Sequence, residues 1–144
     1  MRQGLGPAKL AQCVAIGLVI AVFPALGVTT LMAGLAAVMF RLNMLAIQTV
    51  NYLAYPLQFA LILPFYSAGQ RLFHEPQLLR PASEILALIR SAPLSALQEL
   101  WTLTWHAAVV WAMLACLAIP LLILVLTPFF SRFAPEKKAD PKGL

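Results

Sequence analysis

The first 74 residues of this chain contain no aspartate or glutamate, and only five acidic residues occur in all 144. Charged residues make up 10% of the sequence and hydrophobic residues 62%. A soluble domain carries about 25% charged residues, and a globule of this length has too little interior to bury so much apolar surface. The composition therefore excludes an ordinary soluble domain and predicts an integral membrane protein.

Cysteine and histidine are also scarce, with two of each. Cys13 and Cys116 lie inside apolar runs and form no CxxC pair, so neither a zinc site nor a disulfide framework is indicated. His74 and His106 have no acid at a helical spacing, and no glycine-rich phosphate loop or HExxH motif occurs. Because catalysis needs a nucleophile, acid or base held near a partner, we expect no enzyme, no metal and no cofactor.

The positive charges are few and lie at the edges of apolar runs. Arg2, Lys9, Arg41 and Arg71 are the only charged residues among the first 74. This placement is typical of anchoring to anionic lipid head groups and excludes a basic patch for nucleic acid. The basic C-terminal tail argues for a cytoplasmic C-terminus, while these four residues argue equally for the other end, so the topology stays open.

Residues 8–40 form a first apolar block that Pro24 and Gly27 interrupt. The block is too long for one straight crossing of a ~30 Å hydrocarbon core and too short for two full crossings with a turn. Proline removes a backbone donor and clashes with the preceding turn. We therefore predict two half-length helices, arranged either as a re-entrant hairpin or as one tilted crossing plus a surface piece.

Residues 44–73 form a second apolar block of the same shape, interrupted at 51–56 and again at Pro64. In both blocks a proline breaks the middle and an Ala-Gly pair follows, which suggests a weak internal repeat; chance similarity between two Ala- and Leu-rich strings is the alternative. Paired Pro- and Gly-interrupted hydrophobic segments are a known indicator of transporter-type sites. We expect a second hairpin here, whose middle meets that of the first.

The rest of the chain predicts two more helices and a tail. Three prolines divide residues 74–94, and the apolar positions between them predict a short amphipathic helix lying at the membrane interface. Ser95 and Gln98 form a capping box that opens a long transmembrane helix over 95–131, and 132–144 is a basic, disordered tail. The predicted fold is thus all-α, a single membrane domain over 1–144 with a broken-helix region at 7–73.

Polar residues inside the second block are the strongest functional signal. Gln48, Asn51, Tyr55 and Gln58 recur at intervals of three and four, so they share one helix face. They either line a polar path or hold a lipid head group, or they satisfy backbone groups freed at the prolines. Half-helix N-termini directed inward would favour an anionic group. The predicted binding residues are Pro24, Gly27, Thr29, Gln48, Asn51, Tyr55, Pro56, Gln58, Arg41 and Arg71.

Residues 7–73 resemble a bacterial membrane family called domain of unknown function 2062. The resemblance rests on the pattern A-x-G-x-x-x-x-x-F/L-P-x-x-G, on "RLN" at 41–43, on an asparagine at the second break and on the late glycine of "SAGQRL". Many members read Asn-Pro at the second break, whereas here Tyr52 follows Asn51 and the proline is delayed to Pro56. The resemblance implies a membrane protein in which both breaks matter, and it implies no substrate.

We therefore expect a small multi-pass protein of the bacterial inner membrane that handles or translocates an amphiphilic or anionic substrate between two broken helices. Half-length helices in so short a chain enclose a path poorly, so we expect a homo-oligomer surrounded by membrane lipids. The alternative is a non-catalytic scaffold or assembly factor that docks a partner protein through residues 74–100 or the tail. We expect no nucleic acid partner.

Overall fold

The computed structural model describes residues 6–74 and 82–133, and all regular structure within these two ranges is helical. Six helices follow one another in the described ranges: α1 (Pro7–Ala21), α2 (Thr29–Met39), α3 (Met44–Leu53), α4 (Tyr55–Leu72), α5 (Ala82–Ser91) and α6 (Pro93–Phe133). The predicted all-α class is confirmed for this part of the chain. The predicted disordered tail lies outside the described residues from 134 onwards, as does 75–81 of the predicted interfacial segment.

The first apolar block is broken where the sequence predicts, because no helix covers residues 22–28. Helices α1 and α2 pack against each other on either side of this break. At their other ends the two helices also meet, since Lys9 Nζ donates a hydrogen bond to the Phe40 carbonyl (3.4 Å). The block is therefore a pair of short helices joined at a proline- and glycine-containing turn.

The second apolar block differs from the predicted hairpin. Its interruption is confined to Ala54, and hydrogen bonds pass through it, from Ala54 N–H to the Val50 carbonyl and from Gln58 N–H to the Ala54 carbonyl (both 3.0 Å). Pro56 lies in the first turn of α4, where a missing N–H leaves no helical bond unmade. Helix α3 packs on α1 and α2, whereas α4 packs on α6, so α4 continues away from α3 and does not fold back against it. The two apolar blocks are therefore built differently.

Pro64 does not interrupt the chain either. It lies inside α4, which runs without a break to Leu72. The helix is supported by close contact with α6, since a methyl group on Gly69 would lie only 2.9 Å from the Ala107 nitrogen. Packing of this kind offsets the lost hydrogen bond of an internal proline.

The C-terminal helices have different limits from those predicted. Helix α5 occupies 82–91 within the predicted 74–94 segment, and α6 begins at Pro93 rather than at 95. Proline is favoured in the first position of a helix, so Pro93 starts α6 and Ser95 lies inside it, and the predicted capping box is wrong. Helix α6 runs past 131 to Phe133, so the first two residues of the predicted tail are helical.

Among the described residues one helix, α6, is long and apolar enough to cross a membrane by length and composition, and only 11% of its most apolar 18-residue stretch is buried inside the protein. Helix α1 runs antiparallel to α6. Trp111 Nε1 donates to the Val19 carbonyl (2.8 Å) near the end of α1, while Lys9, at the start of α1, and Ile123 of α6 line one groove of about 700 Å³. Lys9 therefore lies toward the C-terminal end of α6, and the break at 22–28 lies toward its tryptophan-rich beginning.

Candidate functional site

The break at 22–28 exposes backbone carbonyls that neighbouring side chains then bind. Gln58 Nε2, from the first turns of α4, donates to the carbonyls of Phe23 (2.9 Å) and Ala25 (3.4 Å). The Tyr66 hydroxyl donates to the carbonyl of Pro24 (3.1 Å). Gly27 has φ +83, a left-handed conformation that glycine adopts without strain. The turn is thus a defined structure held by α4.

Four polar side chains that we call the break cluster gather around this turn: Thr29, Gln48, Asn51 and Gln58. Thr29, Asn51 and Gln58 are fully buried. Gln48 Nε2 donates to the Thr30 carbonyl (3.0 Å), so both glutamines contact the segment 23–30. Asn51 lies between the two glutamines along the chain and on the same helix face, and the two glutamines bring this face against the segment 23–30.

The break cluster contains several buried polar atoms that have no hydrogen-bond partner within the described residues. They are Thr29 Oγ1, Gln48 Oε1, Asn51 Oδ1, Asn51 Nδ2 and Gln58 Oε1. A buried polar group without a partner costs about 1–3 kcal/mol, and such groups are rare in native proteins. The glutamine nitrogens therefore satisfy freed carbonyls, as one alternative for the stripe predicts, while the remaining atoms have no partner among the described residues.

An apolar cleft of about 500 Å³ lies on the other side of the break. Phe23, Ala25 and Val28 form one wall, and Trp101, Trp105, Trp111 and small residues of α6 form the other. Phe23 and Trp111 meet edge to face with ring centroids 4.9 Å apart. The volume is within the range of small-molecule sites, about 300–1,000 Å³. The break therefore turns its apolar side chains toward this cleft and its carbonyls toward α4.

The other predicted residues lie outside the break cluster. Pro24 is buried in the turn itself, whereas Tyr55 is half-buried against Tyr52, with ring centroids 5.5 Å apart. Pro56 is exposed.

The two arginines lie at helix ends far from the break. Arg41 follows α2 and is exposed with φ 51, and at 1.5 Å per residue α2 separates it from Thr29 by about 16 Å. Arg71 is exposed near the end of α4, about 20 Å along that helix from Gln58.

Two residues that the sequence interpretation left out of the site hold it together. Tyr66 binds the Pro24 carbonyl, and its hydroxyl lies 3.2 Å from Thr104 Oγ1 on α6. Trp111 fixes the end of α1, because its indole nitrogen donates to the Val19 carbonyl. Tyr66 lies two turns beyond Gln58, so extending the polar stripe into α4 would have found it.

Two further buried polar side chains, Gln70 of α4 and His106 of α6, lie outside the break cluster. Gln70 and His106 are buried, and Gln70 Nε2 and His106 Nδ1 have no hydrogen-bond partner within the described ranges. The His106 ring stacks on Phe73 at 4.1 Å. Among the described residues, no group of three His, Cys, Asp or Glu side chains is placed to hold a metal ion.

The fold and the site define a class of protein: residues 6–74 and 82–133 form an all-helical structure with one membrane-compatible helix and a buried polar cluster at a helix break. The family model described as "Uncharacterized protein conserved in bacteria (DUF2062)" matches residues 1–135, and the chain belongs to this family. The match extends well beyond residues 7–73, on which the resemblance rested. No curated protein and no solved structure matches the chain.

Proposed function

We propose that this protein is a multi-pass protein of the bacterial inner membrane that binds an amphiphile at the break cluster and moves it between leaflets. The observation that carries the proposal is Asn51, which is fully buried although neither of its amide atoms has a partner among the described residues. Polar side chains at membrane depth are costly and mark ligand paths. An apolar cleft beside a polar cluster matches the two parts of an amphiphile.

The distribution of apolar surface supports a membrane environment. Large side chains on the outer faces of the short helices are more than half exposed, among them Leu31 (66%), Leu45 (78%) and Leu53 (76%). A soluble monomer rarely exposes contiguous apolar patches of more than a few hundred Å². The most apolar stretch of α6 is mostly unburied, unlike the core helix of a soluble protein. Lipid and further copies of the chain would cover these faces.

The basic residues support one orientation. Lys9 and Phe40 lie beside Ile123 in one groove, and Arg41 follows Phe40, so Lys9 and Arg41 share the end of the molecule toward which Arg132 extends on α6. By the positive-inside rule this end is cytoplasmic. The break at 22–28 would then lie toward the periplasmic half, and of the two described arginines among the first 74 residues Arg71 would lie toward the opposite side from Arg41.

A lipid-scrambling assay tests the proposal. Purified protein is reconstituted into liposomes that carry acyl-NBD-phosphatidylethanolamine, and dithionite bleaches the probe that reaches the outer leaflet. We expect the protein to expose the inner-leaflet probe, and Asn51→Leu, which keeps the approximate shape but removes both amide atoms, to abolish this.

The matched control is Thr49→Val. The hydroxyl of Thr49 is exposed and binds the Leu45 carbonyl of its own helix (2.8 Å), so this variant should retain the activity. Equal flux through the wild type and Asn51→Leu, or no flux through either, would overturn the proposal.

A second function, partner docking without transport, is favoured by the exposed apolar side chains at the junction of α5 and α6. Leu86, Leu94 and Leu97 are 53%, 71% and 64% exposed. Under this alternative, Leu94→Glu should abolish crosslinking to a partner membrane protein in cells while Asn51→Leu leaves it intact. The reverse pattern would exclude docking through this junction.

A further inference from the structure

The groove of about 700 Å³ that residues of α1, α2 and α6 line is called the basic groove below. Along α1 its lining extends from Lys9 to Ile20, about 16 Å at 1.5 Å per residue. Half of a ~30 Å hydrocarbon core is about 15 Å, so the groove is as long as one leaflet is deep. Ile16 and Ile20 are buried, whereas Leu35 and Met39 are 56% and 74% exposed. An alkyl chain can therefore enter from the surface, and its burial is favourable in proportion to its area.

Two polar side chains, Lys9 and Gln12, lie at one end of the basic groove, and its other lining residues are apolar or aromatic. Lys9 is exposed, and its Nζ donates to the Phe40 carbonyl at 3.4 Å, longer than the usual distance of about 2.7–3.2 Å. A lysine ammonium has three donors, so most of its bonding capacity remains for a ligand. Gln12 follows Lys9 by three residues, which places both on one face of α1. This end of the groove therefore donates hydrogen bonds and is positively charged.

Arg41 adds a second positive charge at this end, and its backbone is unusual. The Lys9 ammonium lies 3.4 Å from the carbonyl oxygen of the peptide bond that joins Phe40 to Arg41. Arg41 has φ 51, and Leu42 N–H donates to the Ala37 carbonyl (2.8 Å), which is the hydrogen bond of a Schellman motif. Glycine is usual at this position because the left-handed backbone is strained in other residues. An arginine at a position that favours glycine points to a use for its side chain.

The two cations at this end have no acidic partner among the described residues. Glu84 and Glu99, the acids of the described ranges, lie on α5 and in the second turn of α6. About 36 Å of helix separates Glu99 from Ile123, which lines the same groove as Lys9. An anionic group at the end of the groove would therefore meet positive charge that no described carboxylate neutralises.

We infer that the basic groove binds one anionic phospholipid, whose phosphate contacts Lys9 and Arg41 and one of whose acyl chains lies along the groove toward Trp111. Basic pockets between membrane helices bind anionic head groups, and arginine binds phosphate through paired N–H donors. The apolar length and the charged end of the groove match the two parts of such a lipid. This site is separate from the break cluster, and the inference does not depend on lipid transport.

Native mass spectrometry counts the lipids that remain bound to the full-length protein in neutral detergent. The protein is titrated with dioleoyl-phosphatidylglycerol and with dioleoyl-phosphatidylcholine, which has the same chains and no net charge. We expect one phosphatidylglycerol to bind about thirtyfold more tightly, because each cation near a phosphate contributes about fivefold. Glycerol phosphate, which carries the anionic group without acyl chains, should not displace it.

Substitutions of the cations test the charged end. Lys9→Gln and Arg41→Gly should each reduce the preference about fivefold, and the double variant should abolish it. Glycine suits the left-handed backbone at position 41, so the loss would not come from a damaged fold, and Lys9→Arg should retain the preference. The matched control is Arg71→Gln, since Arg71 is also an exposed arginine near a helix end but does not line the groove.

A filled groove tests the position of the acyl chain. Ala36 is buried and lines the groove, so Ala36→Leu should weaken the binding of the first lipid of either head group. Ala60→Leu, at an exposed position of α4, should not. Gln12→Phe, at a half-buried position of the lining, serves if Ala36→Leu does not fold.

Four results would overturn the inference. Equal binding of the two lipids, or a preference that survives in the double variant of Lys9 and Arg41, would exclude these cations as the phosphate site. Displacement by glycerol phosphate would mean that the site binds a free phosphate ester, and unchanged binding in Ala36→Leu would place the chain elsewhere. A preference that appears only in Glu136→Gln/Asp140→Asn would mean that carboxylates of the chain itself occupy the charged end.

Discussion

Asn51 should be a residue whose loss makes the protein more stable and less active. Its side chain is fully buried, and neither Oδ1 nor Nδ2 has a partner among the described residues. A buried group in this state costs about 1–3 kcal/mol. Leucine has a similar shape and no polar atoms, so Asn51→Leu should raise the free energy of unfolding of the ligand-free protein by about 1–3 kcal/mol.

Both the size and the sign of this expected change in the free energy of unfolding are unusual for a buried position. Most substitutions of buried residues destabilise a protein, so a gain of stability at a fully buried site is a specific expectation. The same variant should lose amphiphile binding and lipid flux, which is the trade-off between stability and function expected of a binding site.

Unfolding of the detergent-solubilised protein, followed by tryptophan fluorescence in a denaturant series, measures the change. Thr49→Val is again the matched control, because it removes one exposed polar group from the same helix and should change stability little. Thr29→Val, which removes only the unpartnered hydroxyl of a fully buried side chain, should also stabilise the protein. A loss of more than about 1 kcal/mol in Asn51→Leu would refute the reasoning, because it would mean that the amide is satisfied in the folded protein.

Three further predictions concern the packing and orientation of the helices. Gly69→Ala should cost about 1–3 kcal/mol, because its methyl group would lie 2.9 Å from backbone atoms of α6. The control is Gly34→Ala, whose methyl group would meet the flexible end of a methionine at 3.4 Å and should be neutral or stabilise α2 by about 0.5–1 kcal/mol. Equal melting temperatures for Gly69→Ala and Gly34→Ala would contradict the close contact of α4 and α6. Gln58→Met should destabilise the protein by about 1–3 kcal/mol, because it leaves the break carbonyls without a donor, and increased stability in a denaturant series would contradict that role. In a cysteine-free background, Arg41→Cys and Leu26→Cys should react with an impermeant maleimide from opposite sides of the membrane, and labelling of both from one side would refute the proposed orientation.

The first block shows what local sequence predicts well. A proline followed three residues later by a glycine, inside an apolar run, predicts a break in the helix, and the break is present. The same reasoning gave a hairpin in the second block, and there it was wrong. Pro56 has the same chemistry as Pro24, but it falls in the first turn of a helix, where its missing N–H costs nothing.

The polar stripe shows a different limit. Its spacing of three and four residues places Gln48, Asn51 and Gln58 on one face, and the two glutamines do contact the segment 23–30. Their spacing does not show which side-chain atoms form hydrogen bonds within the protein. Only the positions of the carbonyls at 23, 25 and 30 reveal that the glutamine nitrogens are hydrogen-bonded while the oxygens have no partner among the described residues.

The sequence by itself determined the helical class, the first break and the face on which the polar residues lie, because backbone sterics and helical periodicity act within a few residues. Tertiary structure alone decided the partners of those residues, the apolar cleft between the break and the tryptophans, and the shared end for Lys9 and Arg41. These features depend on contacts between helices far apart in the chain, such as that of Trp111 with Val19, and no local pattern specifies which carbonyl a distant side chain will reach.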